Sequence, residues 1–176
     1  KTCNQASKTL LSNPVGPALN AKVAKWLPVL PCITDLRNEA LKDRHWEDIN
    51  NLVGFNVQED ITFTVGDLIG KEVTKHQDEI SNIATTAVQE RVLEEMMSKV
   101  TGMWIDAELD CAPYKEEQVK DLYILGDVSE IITNLDESLV TINTVLGSRF
   151  VGGIRDFVEK WRHDLMLFQE TLDEWL

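Results

Sequence analysis

Prolines are concentrated near the start of this chain, and their distribution constrains the fold more than any other feature. Four of the five prolines precede residue 32, and the fifth is Pro113. Proline interrupts a helix because it lacks a backbone N–H and because its ring clashes with the preceding turn. Only nine glycines occur in 176 residues. Long stretches after residue 32 can therefore be helical, and the sequence predicts a mainly α fold.

The longest proline-free helical pattern runs from about residue 72 to 106. It predicts one continuous helix of roughly 50 Å, at 1.5 Å per residue. The apolar residues that recur at helical spacing are Ile80, Ile83, Ala84, Ala87, Val88, Met96, Met97, Val100 and Trp104. A helix of this length exceeds the usual one in a compact domain, so we expect an elongated helical bundle.

Two further helices are predicted in the second half of the chain. Asp127 and Glu130 have the spacing of a capping box, and Gly147 is expected to end the helix that follows. Its apolar stripe is Ile131, Leu135, Leu139, Ile142 and Leu146. The last segment has gaps that alternate between four and three residues, a pattern typical of a coiled-coil seam. The residues of this seam are Ile154, Val158, Trp161, Leu165, Phe168, Leu172 and Trp175.

The remaining segments have weaker patterns. Residues 1–26 are predicted to be irregular, a short helix is predicted at about 29–37, and residues 55–71 are expected to form an extended connection. A small β-hairpin is predicted at about 107–125, with Pro113 in its loop. The alternating residues that indicate the hairpin strands are Leu109, Cys111, Leu122 and Ile124.

The stretch LRNEALKDRHWEDINNLVG, residues 36–54, places Arg44, His45 and Trp46 in the middle of a predicted helix. Asn38 has the properties of an N-cap, and Gly54 is suited to the position after the last turn. The apolar face of this helix is Leu41, His45, Trp46, Ile49, Leu52 and Val53. His45 and Trp46 lie on that face and Arg44 lies at its edge. A structural role is predicted for all three residues, through packing for His45 and Trp46 and through an ion pair or a helix cap for Arg44.

The charge of the chain excludes some classes of protein. The net charge is −13 and the isoelectric point is about 4.6. Nucleic acid and anionic membranes attract clustered Lys and Arg, so neither is an expected partner. No run of 18 apolar residues or signal-peptide core occurs, and we therefore expect no membrane partner. The three cysteines are too few and too widely spaced for a disulfide framework, which favours a reducing compartment.

GDLIGKEV, residues 66–73, resembles a phosphate-binding loop but departs from that motif at two positions. Three residues instead of four separate its glycines, and Glu72 stands where Ser or Thr should hold magnesium. A turn that leads into the long helix is the alternative. We therefore expect no nucleotide at this loop.

Metal and nucleophilic sites are also not indicated. His76 with Glu79, and Glu159 with His163, have the spacing of paired helix ligands, and Glu90, Glu94 and Glu95 could supply further carboxylates. The alternative is a solvated acidic face, which the predicted helix pattern favours. No nucleophile elbow is present, and no histidine lies near a cysteine in sequence. The sequence predicts no catalytic, metal or cofactor site.

Several motifs resemble the linker region of dynein heavy chains and follow one another in the same order along the chain. Their residues resemble axonemal dyneins more than cytoplasmic dyneins. LRNEALKDRHW matches the signature Leu-Arg-Asn-x-x-Leu-x-x-Arg-His-Trp, and FTVGDLIG and VEKWRHDLMLFQETLDEWL match later segments. The resemblance covers about residues 27–176, and residues 1–26 match no motif. Glu39 replaces a proline that many relatives have. The signature residues are Leu36, Arg37, Asn38, Leu41, Arg44, His45, Trp46, Trp104, Trp161 and Trp175.

The resemblance implies that residues 27–176 form the tail-side part of a mechanical linker. In this family the linker is a helical lever on a ring of AAA+ modules, and it couples ATP-driven changes of the ring to displacement. The chain itself is then non-catalytic and a piece of a longer protein. The implied partners are the ring of the same heavy chain and other dynein subunits, with microtubules reached only through the full-length motor. The implied location is the cytoplasm and the cytoskeleton, in the axoneme of a cilium or flagellum.

A helical scaffold in the dynein tail that binds accessory chains is the alternative function. An enzyme is a third class, but the sequence contains no convergent set of titratable groups.

Overall fold

The computed structural model describes residue 5 and residues 14–58, 64–113 and 123–176. The chain divides into two compact units, Lys1–Val88 and Gln89–Leu176. We call them unit 1 and unit 2.

The described part of unit 1 consists of short helices followed by the start of a long one. The elements are α1 (Val15–Trp26), α2 (Val29–Leu36), α3 (Asp43–Val53), α4 (Val65–Gly70), a 3₁₀ turn (Val73–His76) and the first residues of α5 (Gln77–Ile105). The mainly α prediction is confirmed.

The helix α1 corrects the prediction that residues 1–26 are irregular. Pro14 precedes the helix and Pro17 is its third residue. The N–H groups of a first turn have no partner within the helix, so a proline there removes no hydrogen bond. The helix α2 confirms the short helix predicted at 29–37. Pro28 precedes α2 and Pro31 is its third residue, as Pro14 and Pro17 are for α1. Residues 1–4 and 6–13 lie outside the described residues.

The helix α4 corrects the extended connection predicted over residues 55–71. Thr64 caps α4, and its hydroxyl oxygen accepts a hydrogen bond from the backbone N–H of Asp67 at 3.3 Å. Glu72 then adopts a left-handed conformation, with φ of 55°, before the 3₁₀ turn. The extended interpretation missed the capping box and gave too much weight to the β-branched residues around it. Residues 59–63 lie outside the described part of the chain.

The helix α5 confirms the long helix predicted from residue 72 to 106. It has 29 residues, which corresponds to about 44 Å. Its buried apolar residues are Ile80, Ala84, Ala87, Leu93, Met97 and Val100. Val88, predicted on the apolar face, is 39% exposed. The first residues of the predicted helix form the 3₁₀ turn instead.

Unit 2 contains the predicted hairpin. Strand β1 (Cys111–Pro113) pairs antiparallel with β2 (Tyr123–Leu125), and Cys111 lies opposite Leu125. Pro113 pairs with Tyr123, so its placement in the loop was wrong. Proline is tolerated because each strand here is an edge strand. Leu122 lies outside the described residues.

The two other long helices of unit 2 are α6 (Ser129–Leu146) and α7 (Arg155–Trp175). Asp127 accepts hydrogen bonds from the backbone N–H and the hydroxyl of Ser129, at 3.0 and 2.6 Å. These bonds keep the pKa of the Asp127 carboxyl below its usual value. Gly147 follows α6, as predicted, with a right-handed φ of −71°.

One hydrophobic core holds unit 2 together. Its buried members are Leu93, Met97, Val100, Leu135, Ile142, Val145, Val151, Val158 and Leu165. Along α7, residues Val158, Leu165 and Leu172 are buried at seven-residue intervals, while Trp161 is half-buried. This confirms the predicted seam on α7 up to Leu172.

Candidate functional site

The turn between α2 and α3 is held by Asn38. The Asn38 side-chain oxygen accepts a hydrogen bond from the N–H of Ala40 at 3.0 Å, and its backbone carbonyl accepts one from Leu41 at 3.1 Å. An Asn side chain commonly closes a turn over its own backbone in this way. Arg37 ends α2, with its N–H donating to the carbonyl of Ile33 at 3.0 Å. This part of the signature is therefore a turn.

His45 has a capping role in α3. The helix begins at Asp43, several residues after the predicted cap at Asn38. The His45 Nδ1 accepts a hydrogen bond from the backbone N–H of Lys42 at 3.1 Å, so Nδ1 carries no hydrogen. His45 is 4% exposed. A buried ring that satisfies an otherwise unpaired N–H is a structural element, which agrees with the packing role predicted for His45.

Arg44, His45 and Trp46 do not converge on a common point. Consecutive residues of a helix project about 100° apart, so neighbours in sequence do not face each other. His45 is buried, and Arg44 and Trp46 are half-buried on either side of it. Three side chains that diverge cannot act together on one substrate atom.

These helices pack on the core of unit 1. The buried residues are Val29, Cys32, Leu68, Val73 and Ile80, and the half-buried ones around them are Ile33, Leu36, Leu52, Val53 and Phe55. Burial, and secondarily the negative charge of Asp35, raise the pKa of the Cys32 thiol. Cys32 is fully buried. The reactive form of a cysteine is the thiolate, and a raised pKa disfavours it, so Cys32 acts as an apolar core residue.

The loop after α3 is tied back to that helix by Asn50, which the sequence did not single out. The Asn50 side-chain oxygen accepts from the N–H of Val57 at 2.9 Å, and its amide donates to Asn56 at 3.1 Å. Gly54 ends the helix with a φ of 78°, as predicted for the position after the last turn. In the sequence, Asn50 and Gly54 stand at the end of the apolar pattern of α3, and residues of these two types commonly form the turn that ends a helix.

Trp104 connects the three long helices of unit 2. Its indole N–H donates to the hydroxyl oxygen of Ser138 on α6 at 2.9 Å. Its ring packs edge-on against Phe168 on α7, with centroids 5.7 Å apart and planes at 79°. Ser138 is 1% exposed and had not been predicted. The indole N–H of a Trp on a core face needs a hydrogen-bond acceptor. This requirement predicts a polar partner such as Ser138 on a neighbouring helix, although it does not say which residue.

Trp161 and Trp175, the two signature tryptophans on α7, differ in burial. Trp161 is half-buried and packs edge-on against Phe157 at 6.5 Å between centroids. Trp175 is 68% exposed, and it lines an open groove of about 640 Å³ with Leu176 and the hairpin. Trp175 is therefore not a core residue of unit 2.

The segment that resembles a phosphate-binding loop is the helix α4. Both glycines, Gly66 and Gly70, lie inside it. The Asp67 carboxylate accepts hydrogen bonds from the backbone N–H and hydroxyl of Thr64, at 2.8 and 2.6 Å. These bonds lower the Asp67 pKa. Asp67 places a negative charge in the first turn, where a phosphate-binding helix would leave its N–H groups open.

Among the paired His and Glu residues, Glu79, Glu159 and His163 are exposed and His76 is half-buried. Glu90 is 7% exposed, so the solvated face predicted for these carboxylates does not include it. Glu159 forms an ion pair with Arg155 at 3.4 Å, and Glu95 forms one with Arg91 at 3.3 Å. Within the described ranges, no three His, Cys, Asp or Glu side chains come together as metal ligands would. The same ranges contain no helix long and apolar enough to cross a membrane.

A second cavity in unit 2, of about 270 Å³, opens beside Trp104. It is lined by Trp104, Ala107, Glu108, Leu109, Ile131, Leu165 and Phe168. Among the described residues of this lining, Glu108 is the one titratable side chain. The other described residues of the lining are apolar.

Comparison with known proteins identifies the family. The model of the dynein heavy chain, N-terminal region 2, matches residues 1–176. The chain belongs to the dynein heavy chain family. The match includes residues 1–26, which the sequence motifs had left unassigned.

Several axonemal dynein heavy chains are similar to it. Human dynein axonemal heavy chain 6 is 37% identical over 177 residues, and human dynein axonemal heavy chain 10 is 32% identical over 158. These alignments cover 100% and 90% of this chain and 4% of each relative. Mouse dynein axonemal heavy chain 3 is 28% identical over 180 residues, again 100% of this chain and 4% of the relative.

The axonemal-type dynein resemblance is therefore confirmed, as is the cytoskeletal, axonemal location that it implied. The chain is a small part of the dynein heavy chains it matches.

Proposed function

We propose that this chain is the tail-side part of the mechanical linker of an axonemal dynein heavy chain. It acts as a lever that couples ATP-driven changes of an AAA+ ring in the same heavy chain to displacement. It makes no catalytic contribution of its own, and ATP turnover and microtubule contact belong to other parts of the motor.

The packing around Trp104 is the observation that carries this proposal. A lever transmits force only when its helices do not slide, and closely packed interiors resist deformation. Trp104 engages α6 through a partly buried hydrogen bond and α7 through an aromatic contact. The uninterrupted helix α5, with 29 residues, supplies a stiff element.

A microtubule-gliding assay with the full-length heavy chain tests the lever. Trp104→Ala should loosen unit 2 and lower the gliding velocity, while ATP turnover is retained. Val140→Ala is the control, because it truncates a side chain on α6 of the same unit that is 67% exposed. An unchanged velocity in a demonstrably destabilised Trp104 variant, or a parallel loss of ATP turnover, would contradict the lever.

A helical scaffold for accessory dynein chains is the second candidate. The observation that favours it is the row of exposed apolar side chains on α1. Saturable binding of an accessory chain to the purified chain would support the scaffold. The non-catalytic assignment has its own test, since measurable nucleotide turnover by this chain alone would refute it.

A further inference from the structure

The cavity beside Trp104 has two aromatic walls. Trp104 on α5 and Phe168 on α7 both line it, with ring centroids 5.7 Å apart and planes at 79°. Two rings that meet at nearly a right angle form a corner, so a group seated there can contact the faces of both. The indole N–H of Trp104 is already bonded to Ser138, so Trp104 offers a bound group its π surface alone.

A carboxylate stands in the otherwise apolar side chains described for this lining. Glu108 is exposed and lies between α5 and β1, and Leu109, Ile131 and Leu165 supply aliphatic surface. The face of an aromatic ring attracts a cation, and a carboxylate adds to that attraction. The net charge of −13 also favours the approach of cations. The lining therefore favours a cation over an anion.

Hydrogen bonding decides which kind of cation fits. A primary ammonium group has three N–H donors, and each needs an acceptor when it leaves water. The side chains described in the lining offer acceptors at Glu108 alone. A trimethylammonium group has no N–H donor, and its methyl groups contact aromatic and aliphatic walls. The volume of about 270 Å³ is below the roughly 300–1,000 Å³ of sites for drug-sized ligands, which favours a small headgroup.

We propose that this cavity binds a trimethylammonium headgroup. The cation lies in the corner between Trp104 and Phe168, and the Glu108 carboxylate balances its charge. A free small molecule such as choline and a trimethylated lysine both carry this group. The proposal concerns a site within unit 2 and does not depend on the lever.

An NMR titration of the 176-residue chain with three matched compounds tests the chemistry. Choline is compared with its neutral isostere, in which a tert-butyl group replaces trimethylammonium, and with ethanolamine, which lacks the methyl groups. Choline should bind about tenfold more tightly than the isostere, because only choline has the charge that the rings and the carboxylate attract. It should also bind more tightly than ethanolamine. Equal affinities for choline and the isostere, or tighter binding of ethanolamine, would overturn the proposal.

A short peptide with a trimethylated lysine, titrated in parallel, distinguishes the two sources of the headgroup. Tighter binding of the peptide or of choline supports the site and indicates a protein partner or a small molecule, respectively. The absence of saturable binding by both at millimolar concentration would overturn the site.

Two variants locate the binding. Phe168→Leu keeps an apolar side chain but removes a ring, and Glu108→Gln removes the negative charge at an exposed position where folding should be unaffected. Both should reduce the preference for choline over the isostere several-fold. Phe157→Leu, also on α7, and Glu174→Gln are the matched controls at exposed positions outside the described lining. An unchanged preference in Glu108→Gln and Phe168→Leu, with helix content equal by circular dichroism, would show that choline binds elsewhere and would refute the assignment.

Discussion

The hydrogen bond between Trp104 and Ser138 gives the sharpest prediction about stability. Trp104→Phe removes the indole N–H and leaves the Ser138 hydroxyl, which is 1% exposed, without its partner on α5. The two residues are 34 positions apart, so the bond connects separate helices. The substitution also reduces the ring that packs against Phe168.

The expected cost follows from these two losses. A buried polar group left without its partner costs about 1–3 kcal/mol. A weakened aromatic pair costs about 0.5–1.5 kcal/mol more. We therefore expect Trp104→Phe to lower the free energy of unfolding by about 1.5–4.5 kcal/mol, a large fraction of a typical domain's stability.

Urea unfolding followed by far-ultraviolet circular dichroism measures this cost, and a double-mutant cycle isolates the hydrogen bond. Trp104→Phe, Ser138→Ala and the double variant should give a coupling energy of about 1 kcal/mol or more between the two sites. Trp175→Phe is the control, since its exposed side chain should combine additively with Ser138→Ala. A coupling energy near zero for Trp104 and Ser138 would refute the structural role of this bond.

Three further predictions concern unit 1. His45→Ala should lower the free energy of unfolding by about 2–3 kcal/mol in urea titrations, because it removes a buried ring and the acceptor for the Lys42 N–H; a loss below 0.5 kcal/mol would contradict this. Gly54→Ala should cost about 1 kcal/mol in the same assay, since its φ of 78° disfavours a side chain, and an unchanged midpoint would argue against that conformation. Hydrogen bonds from Thr64 lower the pKa of Asp67, so the stability that the Asp67 carboxylate gives the fold should be present above about pH 4 and should fall as acid protonates it. Asp67→Asn should therefore flatten the acid part of the plot of melting temperature against pH. An acid profile identical to that of the unmodified chain would contradict the cap.

The sequence predicted the elements whose periodicity is long and uninterrupted. The pattern behind α5 extends over several turns, and the seam of α7 repeats three times, so local errors average out. The helix α1 was missed because prolines were taken as breakers, although a first turn tolerates them. The helix α4 has six residues, which is too short for periodicity to reveal.

The candidate site could be predicted in part. A packing role for His45 followed from its place on the apolar stripe, but its hydrogen bond to Lys42 depends on where the helix begins, and helix ends are poorly specified by sequence. The pairing of Trp104 with Ser138 depends on how separate helices align, which no local pattern records. Trp175 completed the predicted seam in sequence but is exposed in the structure.

A distance measurement in the full-length heavy chain tests the lever most directly. One dye is placed at Asp164 on α7 and the other on the AAA+ ring, after Cys111, an exposed free cysteine, is replaced by serine. A control pair at Lys99 on α5 and Asp164 lies within unit 2. The lever predicts two transfer levels that interchange with the bound nucleotide for the ring pair, and one constant level for the control pair. A single level for the ring pair in every nucleotide state would contradict it.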